Sequence, residues 1–194
     1  MSEGAQPRLL LASTSPQRRA ILTQLGIPFH AVAPAYDEGP LALAPRALVE
    51  AHSQGKARSV GRATGELALG VDTVVVVDGE VLGKPADEAA ATAMLERLAG
   101  REHSVCSGLT LLSEEGDETA SDETLVRFHP LDGAAIARSV AHGEWRGRAG
   151  AYAIQERGAL LVAGITGDYL NVVGLPVALL VRMLARRGFH GDLR

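Results

Sequence analysis

"LALGVDTVVVVDGEVLGKP", residues 67–85, is a valine-rich run interrupted by one carboxylate, Asp72, and turned by Asp78-Gly79. β-branched residues on both sides of an Asp-Gly pair predict strands joined by a tight turn. A run this apolar belongs at the centre of a sheet. Working outward, residues 8–12 predict a buried strand, and Ser15 then caps a helix with Pro16 in its first turn, running to Gly26. Residues 28–32 predict a second strand, and "PAYDEGP" a loop carrying two carboxylates. Residues 44–62 have helical spacing despite Gly55, which costs roughly 1 kcal/mol relative to alanine.

Beyond the central run, residues 87–99 predict an alanine-rich helix closed by Gly100. "HSVCSGLTLLSEEGDETASDETLVRFHP" reads as two strands joined by an acidic turn, and residues 132–142 as a short helix. "GALLVAGITG" predicts a further strand, and residues 175–187 a last helix with Leu179, Leu180, Met183 and Leu184 on its core face. Strands partly alternate with helices and partly pair as hairpins. The expected class is therefore α/β with a mixed sheet.

The chain has 194 residues, 46% of them hydrophobic, enough for one core or for two small lobes. A net charge of -4 offers no basic field to collect long nucleic acid, so a polyanion site must be a local pocket. Cys106 stands alone, which excludes an internal disulfide and fits a reducing cytoplasm. No apolar run reaches the length of a signal core or membrane span, so a soluble, cytoplasmic protein is expected.

The first strand-helix joint, "LLLASTSPQRRAILTQLG" at residues 9–26, sets Ser13, Thr14 and Ser15 beside a helix N-terminus. Free N–H groups, hydroxyls and a positive dipole end suit phosphate, and Arg18 or Arg19 can add a bidentate fork. A capped helix with solvated arginines accounts for the same residues. The joint is no P-loop; the nearest approach to one, "DGEVLGKP", has its glycine one position too close and Pro85 where a metal-binding hydroxyl belongs. Asp72 is either a strand-end turn residue or a carboxylate meeting a cation, a metal or reacting water. With Asp37 and Glu38 it makes a carboxylate set suited to a hard cation. Lys56 and Lys84 carry no signal singly, and the histidines, His103 included, lack ligand spacing. Trp145, Tyr152 and Tyr169 can stack a base, although "GAYAIQ" reads equally as packed strand.

Taken in order, "LLLASTSPQRRAILTQLG", "YDEGP", "QGKA", "GVDTVVVVDGEVLGKP", "HSVCSGL", "AGAYAIQERGALLV" and "GDYLNVVGLP" resemble the Maf family of nucleoside triphosphate pyrophosphatases, from Leu9 to about Gly188. The resemblance implies one Maf-like domain over residues 1–194, with an elongated mixed sheet, flanking helices and two lobes around a central cleft, similar to the inosine triphosphate pyrophosphatases. It also implies a homodimer that hydrolyses a nucleoside triphosphate to monophosphate and pyrophosphate with a divalent cation, Mg2+ or Mn2+.

By motif, Ser13 and Arg18 match the family's phosphate-binding positions with Arg19 beside them. Asp72 matches the proton acceptor, Glu38 the acidic loop, Lys56 the helix lysine and Lys84 the lysine before proline. Glu38 and Asp72 are the expected metal ligands. Specificity falls to Gln17, Thr73 and Gln155: the latter two resemble the branch acting on dTTP and UTP, whereas Gln17 matches neither that branch, which has arginine, nor the 7-methyl-GTP branch. Gly55 is a second departure, standing before the lysine where a larger residue is usual. These residues imply a house-cleaning enzyme preferring pyrimidine nucleotides, modified ones included. A regulator of septum formation and division arrest that senses nucleotides without turnover is the competing reading.

Overall fold

The strand containing Asp72 runs through the middle of the molecule. In the computed structural model, which describes residues 7–189, β3 (Glu66–Val77) is buried along most of its length. β1 (Arg8–Ala12) lies parallel to its first half, pairing Arg8 with Glu66 through Ala12 with Gly70. On the far side of β1, β2 (Phe29–Val32) continues the parallel edge. The long antiparallel hairpin of β5 (Glu102–Ser113) and β6 (Gly116–Phe128) covers the other side of β3, and β7 (Val162–Thr166) closes the order β2-β1-β3-β5-β6-β7. The predicted Asp78-Gly79 turn folds β4 (Glu80–Leu82) back onto residues 75–77 of β3.

β1 and β4 therefore share one edge of β3 without meeting. β1 stops opposite Gly70 and β4 begins at Val75, so residues 71–74 carry no ladder partner on that edge. Asp72 and Thr73 sit in this gap. Because side chains alternate across a strand, they face opposite sides of the sheet.

Two apolar clusters occupy Thr73's side. One packs Leu69, Val71, Leu109 and Leu111 against Ile21 and Leu22 of α1 (Pro16–Gln24) and Leu179, Leu180, Met183 and Leu184 of α6 (Val177–Arg186). The other packs Val75, Val77 and Val105 against α3 (Glu88–Leu98), α4 (Gly133–Ala141) and Trp145. Thr73 and its ladder partner Ser107 form a polar row between them.

Asp72's side is covered by α2 (Pro45–Arg58). The helix backbone comes down onto the sheet because Gly70 and Gly108 have no side chains. A Cβ on Gly70 would lie 2.0 Å from the Ser53 carbonyl oxygen, and one on Gly108 would lie 2.2 Å from that of Val49. Closer packing brings Lys56 to Asp72.

Local signals hold where capping chemistry is explicit: Ser15, Asp87 and Asp132 each accept a backbone N–H at the starts of α1, α3 and α4. Several boundaries differ from the sequence expectation. α1 ends at Gln24 rather than Gly26, and α2 spans 45–58 rather than 44–62. The strand expected over "GALLVAGITG" is a 3-10 turn at 157–161 before β7, and "GAYAIQ" is a 3-10 turn with irregular chain, not packed strand. A short helix, α5 (Tyr169–Val173), precedes α6, which begins only after Pro176.

Candidate active site

A cleft of about 450 Å3 opens at the gap between β1 and β4. Among the sequence-predicted site residues, Ser13, Gln17, Arg18, Glu38, Lys56, Asp72, Thr73, Lys84 and Gln155 line it. Arg19 does not; it is exposed outside the cleft. Asp37 is likewise exposed and outside, leaving Glu38 as the loop carboxylate that faces in.

On Asp72's side of the sheet the centre is Lys56. Its ammonium donates to Asp72 Oδ1 at 2.7 Å, to Glu38 Oε1 at 2.9 Å and to the Val71 carbonyl at 3.4 Å. Lys56 and Asp72 are almost wholly buried, their side chains 6% and 8% exposed, whereas Glu38 is 47% exposed. Desolvation pushes the Glu38 carboxyl pKa up, but the hydrogen bond and charge of Lys56, helped by Lys84 and His52, outweigh it and hold the group below its ordinary value.

On Thr73's side the centre is Arg18. Its Nε donates to the Gly174 carbonyl at 2.9 Å, Nη1 to Ser13 Oγ at 3.2 Å and Nη2 to Thr73 Oγ1 at 3.2 Å. Thr73 Oγ1 lies 2.9 Å from the fully buried Ser107 hydroxyl. Three of the five guanidinium N–H groups are thus fixed by protein, and two are left for a ligand. Burial pulls the Arg18 pKa down against the opposing influence of Asp72 and Glu38. Gln17 is steadied at the mouth by Ser15, whose Oγ donates to Oε1 at 3.2 Å.

The opposite wall contains residues that sequence reasoning missed. Arg146 and Arg148 line the cleft, and the Gly150 N–H donates to the Gly83 carbonyl at 3.2 Å, tying their loop to the turn that carries Lys84. Gly150 adopts φ 69°, and any side chain there would press on Val75. Tyr152 also faces the cleft, its hydroxyl bonded to His103 Nε2 at 2.9 Å. His103 is buried and its pKa falls to about 4 through desolvation, so it stays neutral near neutral pH. Trp145 is buried outside the cleft, donating to the Val140 carbonyl, and exposed Tyr169 does not line it. Of the three expected stacking rings, only Tyr152 reaches the site. Burial raises the Cys106 thiol pKa to about 11, which removes it as a nucleophile.

Lys56 engages one oxygen of each carboxylate, so the second oxygen of Asp72 and of Glu38 is left for another ligand. Among the described residues no group of three or more His, Cys, Asp or Glu side chains gathers to hold a metal. Two hard oxygens would fit a magnesium-type ion that takes further oxygen ligands from substrate and water.

Residues 8–187, which include every one of these lining residues, match the sequence model of the Maf family, described as Maf-like protein. The chain belongs to the Maf family. Among its relatives, the dTTP/UTP pyrophosphatase of Symbiobacterium thermophilum is 50% identical over 184 residues, covering 94% of this chain and 95% of that protein. The dTTP/UTP pyrophosphatase of Moorella thermoacetica is 48% identical over 182 residues, covering 92% and 94%. A solved structure of a HAM1 protein from Coxiella burnetii superposes with a TM-score of 0.51 over 93% of this chain and 99% of that one, at 16% identity. That likeness is one of fold, and it agrees with the mixed α/β architecture expected for a Maf chain. Among the described residues no helix is long and apolar enough to cross a membrane.

Proposed function

We propose that the cleft hydrolyses pyrimidine nucleoside triphosphates, dTTP and UTP foremost, to the monophosphate and pyrophosphate. The observation that carries this reading is the Asp72–Lys56–Glu38 array, buried at Asp72 and Lys56, at the unpaired edge of β3, lining one cleft with the cationic groups Arg18, Lys84, Arg146 and Arg148. The names of the two relatives point the same way.

In this reading the triphosphate lies in the gap, with phosphates toward Lys56, Lys84 and the Ser13 loop and the nucleoside toward Tyr152, Ile154 and Gln155. Arg18 offers its two remaining N–H groups to one phosphate, and Lys84 neutralises charge that develops on the leaving pyrophosphate. Asp72 accepts a proton from the attacking water. Lys56 holds that carboxylate in line and joins it to Glu38. Asp72 and Glu38 are the residues that would hold a divalent cation, which when bound supplies Lewis-acid polarisation of phosphate oxygens. Gln17, lacking the guanidinium of the dTTP/UTP branch, broadens selectivity among pyrimidines, CTP and modified bases included. The reading extends to a cytoplasmic homodimer with a house-cleaning role.

Comparing kcat/KM for dTTP, UTP, CTP and 7-methyl-GTP tests it. The pyrimidine triphosphates should exceed 7-methyl-GTP, and Gln17→Arg should sharpen selectivity toward dTTP and UTP. A preference for 7-methyl-GTP would overturn the assignment.

A further inference from the structure

We infer that Tyr36 and Gly55 form a matched pair, ring and notch, that positions the loop carrying Glu38, and so act as positioning residues for the proposed active site. The inference rests on the reading of Glu38 given above and adds to it. Residues 33–44 connect β2 to α2 without regular structure. Among the described residues no backbone hydrogen bond outside helices and strands holds residues 33–40. Two side-chain attachments to α2 do the work instead, Glu38 on Lys56 at 2.9 Å and Tyr36 on the helix face one turn earlier.

The Tyr36 attachment is specific. Its hydroxyl lies 3.1 Å from His52 Nδ1, and the two rings meet edge-on, 5.8 Å between centroids at 66°. Its ring fills the space that a side chain at position 55 would need. A Cβ on Gly55 would fall 2.2 Å from Tyr36 Cε2 and 2.4 Å from Cζ, so a side chain there displaces the ring from its seat. His52, Gly55 and Lys56 share one face of α2 at i, i+3 and i+4 spacing, so the helix presents anchor, notch and ammonium together. Gly55 is unfavourable for a helix interior. The ring packed on it gives its presence there a physical reason. With Tyr36 seated, Glu38 is only two residues from a fixed point, and the number of conformations from which it must find Lys56 is small.

The test is a set of variants assayed for pyrophosphate release from dTTP with Mg2+: Gly55→Ala, Tyr36→Ala, Gly55→Ala/Tyr36→Ala, Glu38→Gln and Gly55→Ala/Glu38→Gln. Alanine favours helix over glycine, so Gly55→Ala should lose no more Tm than Tyr36→Ala does. Its kcat should nevertheless fall roughly 10- to 100-fold, the scale expected for a misplaced catalytic group, with a smaller change in KM. The same substitution should add nothing once Tyr36 is alanine or Glu38 is glutamine, because the conflict or its target is then gone. Gly55→Ala at wild-type kcat beside an inactive Glu38→Gln would overturn the pairing, and so would an equal loss from Gly55→Ala in every background. Wild-type turnover in Glu38→Gln would instead remove the site reading and the pairing with it.

Discussion

Replacing Lys56 by methionine keeps most of the side-chain volume and removes the charge. Lys56 is bracketed by Asp72 Oδ1 at 2.7 Å and Glu38 Oε1 at 2.9 Å, so the two ends of the array are not equivalent. Without the ammonium, Glu38 at 47% exposure still reaches water, whereas Asp72 at 8% exposure is left with a buried, unpaired charge. Breaking a buried pair from one side costs about 3–5 kcal/mol, and essentially all of it comes from Asp72. For a chain of this size that is a fall of about 6–20 °C in Tm. Asp72→Asn behaves differently, because Lys56 keeps Glu38 and the Val71 carbonyl, and the amide oxygen still accepts a bond. Its loss should be about 1–2 kcal/mol. Urea unfolding followed by the fluorescence of buried Trp145 reads both, and Lys56→Met/Asp72→Asn should recover much of the lysine loss. Lys56→Met no less stable than Asp72→Asn, or a double variant equal to the sum of the singles, would refute the asymmetry.

Removing the Lys56 charge should also raise the Glu38 pKa, since desolvation would then act with only Lys84 and His52 opposing it. Carboxyl 13C NMR of wild type and Lys56→Met checks the direction, and an unchanged titration contradicts it. Ser107→Ala removes the buried hydroxyl behind Thr73 and loosens the seat of Arg18. Its kcat/KM for dTTP should fall about 3- to 10-fold at a stability cost of about 1–2 kcal/mol, and a stability loss with unchanged kinetics would return Ser107 to a purely packing role. His103 has a folded pKa of about 4 against an ordinary 6.5, so between these values the unfolded chain binds the extra proton. Stability should therefore fall as pH drops from 6.5 toward 4, by up to about 3 kcal/mol from this group. His103→Gln should flatten that limb in urea midpoints measured across the range, and an equally steep limb would assign the slope elsewhere.

The sheet was legible because its signals are local, β-branched runs and an Asp-Gly turn, and the start of α1 was legible from the Ser15 cap. Asp72 could be singled out because a carboxylate in a valine run has few inexpensive explanations. Lys56 was singled out by the family resemblance alone, and its pairing with Asp72 was not legible, because its approach depends on the absence of side chains at Gly70 and Gly108, two strands apart in sequence but on adjacent strands of the sheet. Arg18 and Arg19 differ only in helix phase. Ser15 as cap turns Arg18 toward Ser13 and leaves Arg19 on the exposed face, a distinction that a 3.6-residue period contains once the cap is fixed. Arg146 and Arg148 gave no motif signal, since "WRGRAG" reads as an ordinary turn until Gly150 binds the Gly83 carbonyl. The break between α5 and α6 was missed: the helix expected over 175–187 begins only at Val177, because Gly174 ends α5 and Pro176 stands before the first turn of α6.

In the proposed reaction this cleft breaks the bond between the α- and β-phosphates, with Asp72 acting on water. Incubating the protein with dTTP and Mg2+ and separating the products by 31P NMR tests it most directly, with Asp72→Asn run in parallel. The wild type should give thymidine monophosphate and pyrophosphate in equal amounts, and Asp72→Asn should lose both while remaining folded. Orthophosphate with a nucleoside diphosphate, or undiminished turnover in Asp72→Asn, would contradict it.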